Sequence, residues 1–96
     1  MAIDEIKRDL RDIKSYYRLI DVFKKTNLIP PASVVEKAER YGRVIATAPT
    51  KLYAVYVALY VENSTQEQVA KKWGYTKEHI KQLNKKLCEY IEKNLD

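Results

Sequence analysis

Two glycines and three prolines in 96 residues leave this chain few places to turn, and that scarcity limits its fold more than any other feature. An all-β domain needs a turn about every 8–12 residues, and most of those turns are built on Gly, Pro, Asn or Asp. Long helices need such residues only at their ends. The chain is therefore expected to be all-α, a small helical bundle. Apolar residues make up 46 % and charged residues 32 %, enough of both to bury a core and keep a solvated surface, which excludes a disordered chain. A chain this short buries one core, so residues 1–96 read as a single domain.

Ile3, Ile6, Leu10, Ile13, Tyr17 and Ile20 recur at alternating steps of three and four between charged residues, which defines a long amphipathic N-terminal helix over 1–27. Asp4 with Arg8 attracts and Lys7 with Arg11 repels at i,i+4, so surface pairs add little and burial of the stripe has to hold the helix. The stripe can cover the rest of this chain or pair with a second copy, so packing in cis and a homodimer both stay open. Thr26-Asn27 and then Pro30-Pro31 end the helix. Residues 28–63 hold a linker and central helices. Ala32 to Tyr41 has helical spacing with Gly42 just beyond, and the helix can run on to Ile45.

Ala48-Pro49-Thr50 breaks the pattern again, and Thr50 is placed to cap a helix from Lys51. The segment that follows, Leu52 to Glu62, is apolar on every face, as expected at the centre of a domain. Its valines would suit a strand, but a lone strand would have no partner in this chain. Tyr53, Tyr56 and Tyr60 at steps of three and four read as core or interface residues rather than base-stacking ones.

Residues 64–96 carry the clearest motif. Ser64 with Glu67 three residues on forms a capping-box pattern. The helix QEQVAKKW follows and stops at Gly74, and Thr76 caps KEHIKQLNKKLCEYIEKNL, whose stripe is Ile80, Leu83, Leu87, Tyr90 or Ile91, and Leu95. A short helix, a tight glycine turn and a longer helix define a C-terminal helix-turn-helix. Ala70 is small where two such helices approach, and Val69, Trp73, Tyr75, Ile80 and Leu83 are apolar where they pack.

The run ENSTQEQVAKKWGYTKEHIKQLNKKLCEYIEKNL resembles the C-terminal helix-turn-helix of sigma-70 region 4 and is similar to small phage transcriptional regulators of the ArpU and RinA type. In those proteins a polar cap precedes an Ile/Val-Ala pair, a Leu-Gly-aliphatic-Ser turn and a Val/Ile-Lys step. Val69-Ala70, Trp73-Gly74-Tyr75-Thr76 and Ile80-Lys81 stand in those places, with Trp73 and Tyr75 as departures that stay apolar. The resemblance covers about a third of the chain. It implies promoter binding and transcriptional control by a phage or mobile-element protein, without the regions that melt promoter DNA.

The residues support the same expectation independently. A recognition helix turns the side opposite its apolar stripe toward base edges, which selects Thr76, Lys77, Glu78, Lys81, Gln82 and Lys85 as candidate base contacts. Gln82 suits adenine and Glu78 suits cytosine. Gln66, Lys71, Lys72 and Lys86 suit phosphates. Six lysines against Glu67 and Glu78 give Ser64–Cys88 a charge of +4, most of the chain's +5, which favours a polyanionic partner.

Other chemistry finds little to build on. Cys88 and His79 are the only residues of their kind, so no Cys/His zinc site or internal disulfide can form. Cys88 reads as a small buried residue and His79 as a surface or half-buried one. No phosphate-loop, dinucleotide or zinc-protease motif is present. The expectation is a non-enzyme without cofactor or metal. With no signal-like N-terminus and no apolar run long enough to span a bilayer, a cytoplasmic setting without membrane partners is expected. Its partner is expected to be double-stranded DNA, read as a homodimer or with RNA polymerase, because one short helix reads few base pairs. The alternative is a protein-interaction module with a sigma-like fold that binds polymerase or another regulator without reading DNA.

Overall fold

The computed structural model describes residues 2–95, and among them there are five α-helices, one π turn and no strand. Helix α1, Ile3–Thr26, carries Asp4 and Glu5 in its first turn and Lys24 and Lys25 in its last, each sign placed to complement the helix dipole. It ends where Asn27 turns left-handed at φ 57°. At 1.5 Å per residue its 24 residues span about 36 Å, nearly the whole 40 Å length of the molecule. Helix α2, Ala32–Ile45, and helix α3, Thr50–Tyr56, follow, and the π turn Val57–Val61 continues α3. Helix α4, Gln66–Trp73, and helix α5, Lys77–Asn94, complete the chain.

The N-terminal stripe is used inside the molecule. Ile6, Leu10 and Ile13 are 0–1 % exposed and join a single core with Tyr41, Ile45, Val55, Leu59, Ile80, Leu87 and Ile91. Ile3 and Tyr17 pack on its edge, and Ile20 is half-buried. Ile3, Ile6, Leu10, Ile13, Tyr17 and Ile20 therefore do not form a free self-association seam. Three of the six would have to leave the core to pair with a second copy, at about 2–3 kcal/mol for each large side chain exposed. Large apolar residues are exposed instead at the far end of α1 and beyond it, at Leu19, Val22, Leu28 and Ile29.

The central apolar segment is helical, as its boundaries imply, but its hydrogen-bond register slips. The Glu62 amide donates to the Val57 carbonyl at 2.8 Å, five residues back, and the Ser64 amide to Ala58 at 2.9 Å, six back. This wider turn begins after Tyr56 and contains Tyr60, whose ring meets that of Tyr56 at a centroid distance of 6.0 Å, and the three tyrosines have different environments. Tyr53 is exposed, Tyr56 is buried, and Tyr60 reaches α5 through a 2.6 Å hydrogen bond to Asn84 Oδ1. Burial, helped by nearby Cys88, pushes the Tyr60 phenol up to about 12, against a lowering contribution from Asn84.

Two caps differ from the sequence reading. Pro49, not Thr50, holds the N-cap position of α3, with extended backbone and a carbonyl that accepts from the Tyr53 amide. Thr50 is already helical. At α4 the capping box is Thr65 with Gln68, not Ser64 with Glu67. The Gln68 amide donates to Thr65 Oγ1 at 3.1 Å, and the Thr65 amide donates to Gln68 Oε1 at 2.8 Å. Ser64 is occupied in closing the preceding π turn, so the next helix starts one residue later.

One flank of α1 is fastened to α2 by charge. The Tyr41 hydroxyl donates to Asp9 at 2.7 Å, and Lys37 bridges Asp9 and Asp12 at 3.1 and 3.0 Å. The Asp12 hydrogen bond, and behind it Asp9, hold the Lys37 ammonium above its usual range despite some desolvation. The Tyr41 phenol is pushed far up, mainly by burial and then by its bond to Asp9.

Candidate nucleic-acid interface

Helices α4 and α5 are joined by a three-residue turn whose geometry follows from its residues. Gly74 stands at φ 75°, a left-handed conformation that would strain any residue with a Cβ. The Gly74 and Tyr75 amides both donate to the Ala70 carbonyl, closing the end of α4 in the six-to-one pattern that such a glycine permits. Thr76 then accepts from the His79 amide at 3.1 Å and caps α5 as the sequence implies. Val69, Ala70, Ile80 and Leu83 are buried, which fixes the two helices on the core.

With Ile80, Leu83, Leu87, Cys88 and Ile91 turned inward, the opposite side of α5 lies open. Thr76, Lys77, Glu78, Lys81, Gln82 and Lys85 are all exposed. The three lysines do not occupy the middle of that open face. Lys81 and Lys85 line a groove between α5 and α1 together with Lys7, and Lys77 lines its continuation together with Lys14 and Thr65. Gln66, half-buried at the start of α4, lines both parts. Glu78 and Gln82 are exposed and line neither part.

The remaining candidate phosphate residues scatter. Lys71, Lys72 and Lys86 are exposed. Lys72 stands with Tyr53, Glu62 and Trp73 along a largely apolar groove of about 540 Å³ between α3 and α4. Lys86 is turned roughly 100° about the helix from Lys85, away from the α1 side. The structure thus gathers Gln66, Lys77, Lys81 and Lys85 and leaves Lys71, Lys72 and Lys86 apart.

Lys7 and Lys14 are additions that the sequence reading did not select. The signal was present, since Lys7, Arg11, Lys14 and Arg18 follow steps of four and three along one flank of α1, the spacing of one helical face. Asn84 is a further addition to the groove. Its carbonyl oxygen is held by Tyr60, which turns its amide nitrogen, a donor, away from that bond.

At the turn, Tyr75 makes edge-on contacts with Trp73 and with His79, at centroid distances of 6.4 and 4.6 Å, and Lys51 stands 5.4 Å from the Tyr75 ring. His79 is half-buried in this cluster. Cys88 is buried, which pushes its thiol up against a lowering influence from Lys7. Among the described residues no three His, Cys, Asp or Glu side chains gather as a metal ion requires, and no helix is long and apolar enough to cross a membrane. Compared with protein-family models, curated proteins and solved structures, the chain matches none of them.

Proposed function

We propose that this chain is a sequence-specific DNA-binding transcriptional regulator of the helix-turn-helix kind, related in design to sigma-70 region 4 and to phage or mobile-element regulators. The N-terminal half of α5 enters a major groove, and the protein acts by binding rather than by catalysis. The reading rests on one observation above the others. A capped helix, seated on the core by five buried residues, presents Thr76, Glu78, Gln82 and three lysines that make no ion pair among the described residues. Such a helix meets the steric and electrostatic needs of groove entry. Useful specificity for so small a reader calls for a second contact, from another copy or from RNA polymerase.

Selection of bound duplexes from a random pool, at two salt concentrations, tests the reading. Wild type should enrich a motif, and a Lys77→Ala, Lys81→Ala, Lys85→Ala variant should bind that motif more weakly, with a log–log salt slope lower by about 2.7, about 0.9 for each phosphate contact removed. A second reading is favoured by the exposed Tyr53, which shares a groove with Trp73, and the exposed Tyr75, which meets Trp73 edge-on, because exposed aromatics are typical anchors of protein interfaces. On that reading the chain binds polymerase or another regulator. No enriched motif, with binding of a protein partner that survives the triple substitution, would select it.

A further inference from the structure

We propose, building on the DNA reading above, that the groove between α1 and α5 seats the phosphate backbone of one DNA strand. Helix α1 is then the second wall of the interface rather than a scaffold behind it. Lys7 and Lys14 grip the strand from one side and Lys77, Lys81 and Lys85 from the other. The lysines of α5 thereby act on phosphates, and base discrimination passes to Glu78 and Gln82 on the outer ridge.

Three observations converge on this groove. Five lysines from two helices line it together with Glu67, Glu89 and Glu92, and among the described residues none of the five lysines makes an ion pair. Elsewhere on the same helix the chain does pair its charges, at Asp9 and Asp12. Like charges at i,i+4, as in Lys77, Lys81 and Lys85, and across a groove disfavour the free protein, and a bound row of phosphates reverses that sign.

Neutral donors also point the same way. Gln66 lies in both parts of the groove at the first turn of α4, where the helix has free amides and the positive end of its dipole. Asn84, fixed through its carbonyl by Tyr60, adds an oriented NH₂. Cations backed by neutral donors along a track fit a phosphodiester better than a compact anion, because the lining runs from Lys77 to Lys85, about 12 Å at 1.5 Å per residue.

The test separates this proposal from the reading beneath it. Salt dependence of binding to one fixed duplex, read by anisotropy, is measured beside the random-pool selection for wild type, Lys7→Gln with Lys14→Gln, Lys81→Gln with Lys85→Gln, and Gln82→Ala. Each lysine pair should lower the log–log slope by about 1.8 and leave the selected motif unaltered. Gln82→Ala should change the preferred base at one position and keep the slope. A wild-type slope in the Lys7, Lys14 variant overturns the role of α1, and a changed motif in the Lys81, Lys85 variant overturns the reassignment of the α5 lysines. If wild type selects no motif but both lysine pairs still lower the slope, sequence reading fails and the phosphate groove stands. If wild type binds no duplex, both fail. Circular dichroism of each variant confirms that the helices are retained.

Discussion

The two flanks of α1 treat charge in opposite ways. On one, Asp9 and Asp12 are matched by Lys37 and by the Tyr41 hydroxyl of α2. On the other, Lys7 and Lys14 look across a groove at more lysines. Both flanks belong to one helix, so local sequence and solvent do not explain the contrast. A chain that neutralises one side and, among the described residues, leaves the lysines of the other without ion pairs carries a stability penalty there, and natural structures commonly show such conflicts where a ligand removes them. The acidic flank fastens α1, and the basic flank is available to an anion.

The largest effect should come from breaking the fastened side. Asp9→Ala removes the Lys37 bridge and the carboxylate to which the buried Tyr41 hydroxyl donates, at a cost of about 2–3 kcal/mol in chemical denaturation. Lys7→Ala, the matching truncation on the basic flank, should cost close to nothing. Equal losses would mean that both flanks hold the fold and that the contrast between them is only geometric.

A second, smaller effect concerns alkaline pH. Tyr41 and Tyr56 are buried and their phenols are raised well above 10, and Tyr60 is raised to about 12. Around and above pH 10 the unfolded chain releases these protons while the folded chain retains them. The unfolded state then binds fewer protons, so stability is full below pH 10 and falls as pH rises toward the folded values, by at most about 1.4 kcal/mol per pH unit for each phenol. Tyr41→Phe should flatten this slope but lower stability at neutral pH, because Asp9 loses a donor. Tyr56→Phe should flatten it and raise stability at neutral pH, since among the described residues the Tyr56 hydroxyl is buried with no hydrogen-bond partner. Urea denaturation between pH 7 and 11 reads both.

These contrasts also indicate how much of the molecule the sequence could disclose. The helical class and the inward stripe of α1 follow from spacing alone, because Ile6, Leu10 and Ile13 repeat at the helical period and one core is available to bury them. Gly74 and Thr76 were legible for the same local reason, since each residue type answers one backbone requirement. The start of α4 was ambiguous because Ser64–Glu67 and Thr65–Gln68 both satisfy the capping-box pattern, and the choice depends on how the preceding π turn ends. That turn left no trace, since a slip of register inside a run apolar on every face alters no periodicity. The groove is tertiary. Lys7 and Arg11 read as a mildly unfavourable local pair until the fold brings α5 beside Lys7, and no spacing within either helix encodes that adjacency.

The smallest effect is the most discriminating, because its sign is opposite on the two flanks. Lys7→Gln with Lys81→Gln removes one cation from each wall of the groove and should raise the melting temperature by about 1–3 °C at low ionic strength, the scale of weak surface charge interactions in a domain of this size. Near 1 M salt the Debye length falls to about 3 Å and the gain should vanish. Lys37→Gln removes a cation from the other flank and should lower the melting temperature, since Asp9 and Asp12 are left facing each other. If the groove variant also melts lower, its lysines are paired in solution with Glu89 or Glu92, and the groove is neutralised from within. If it melts higher only at low salt, the free protein holds an electrostatic conflict that a row of phosphates would relieve, and the same salt dependence should then govern binding.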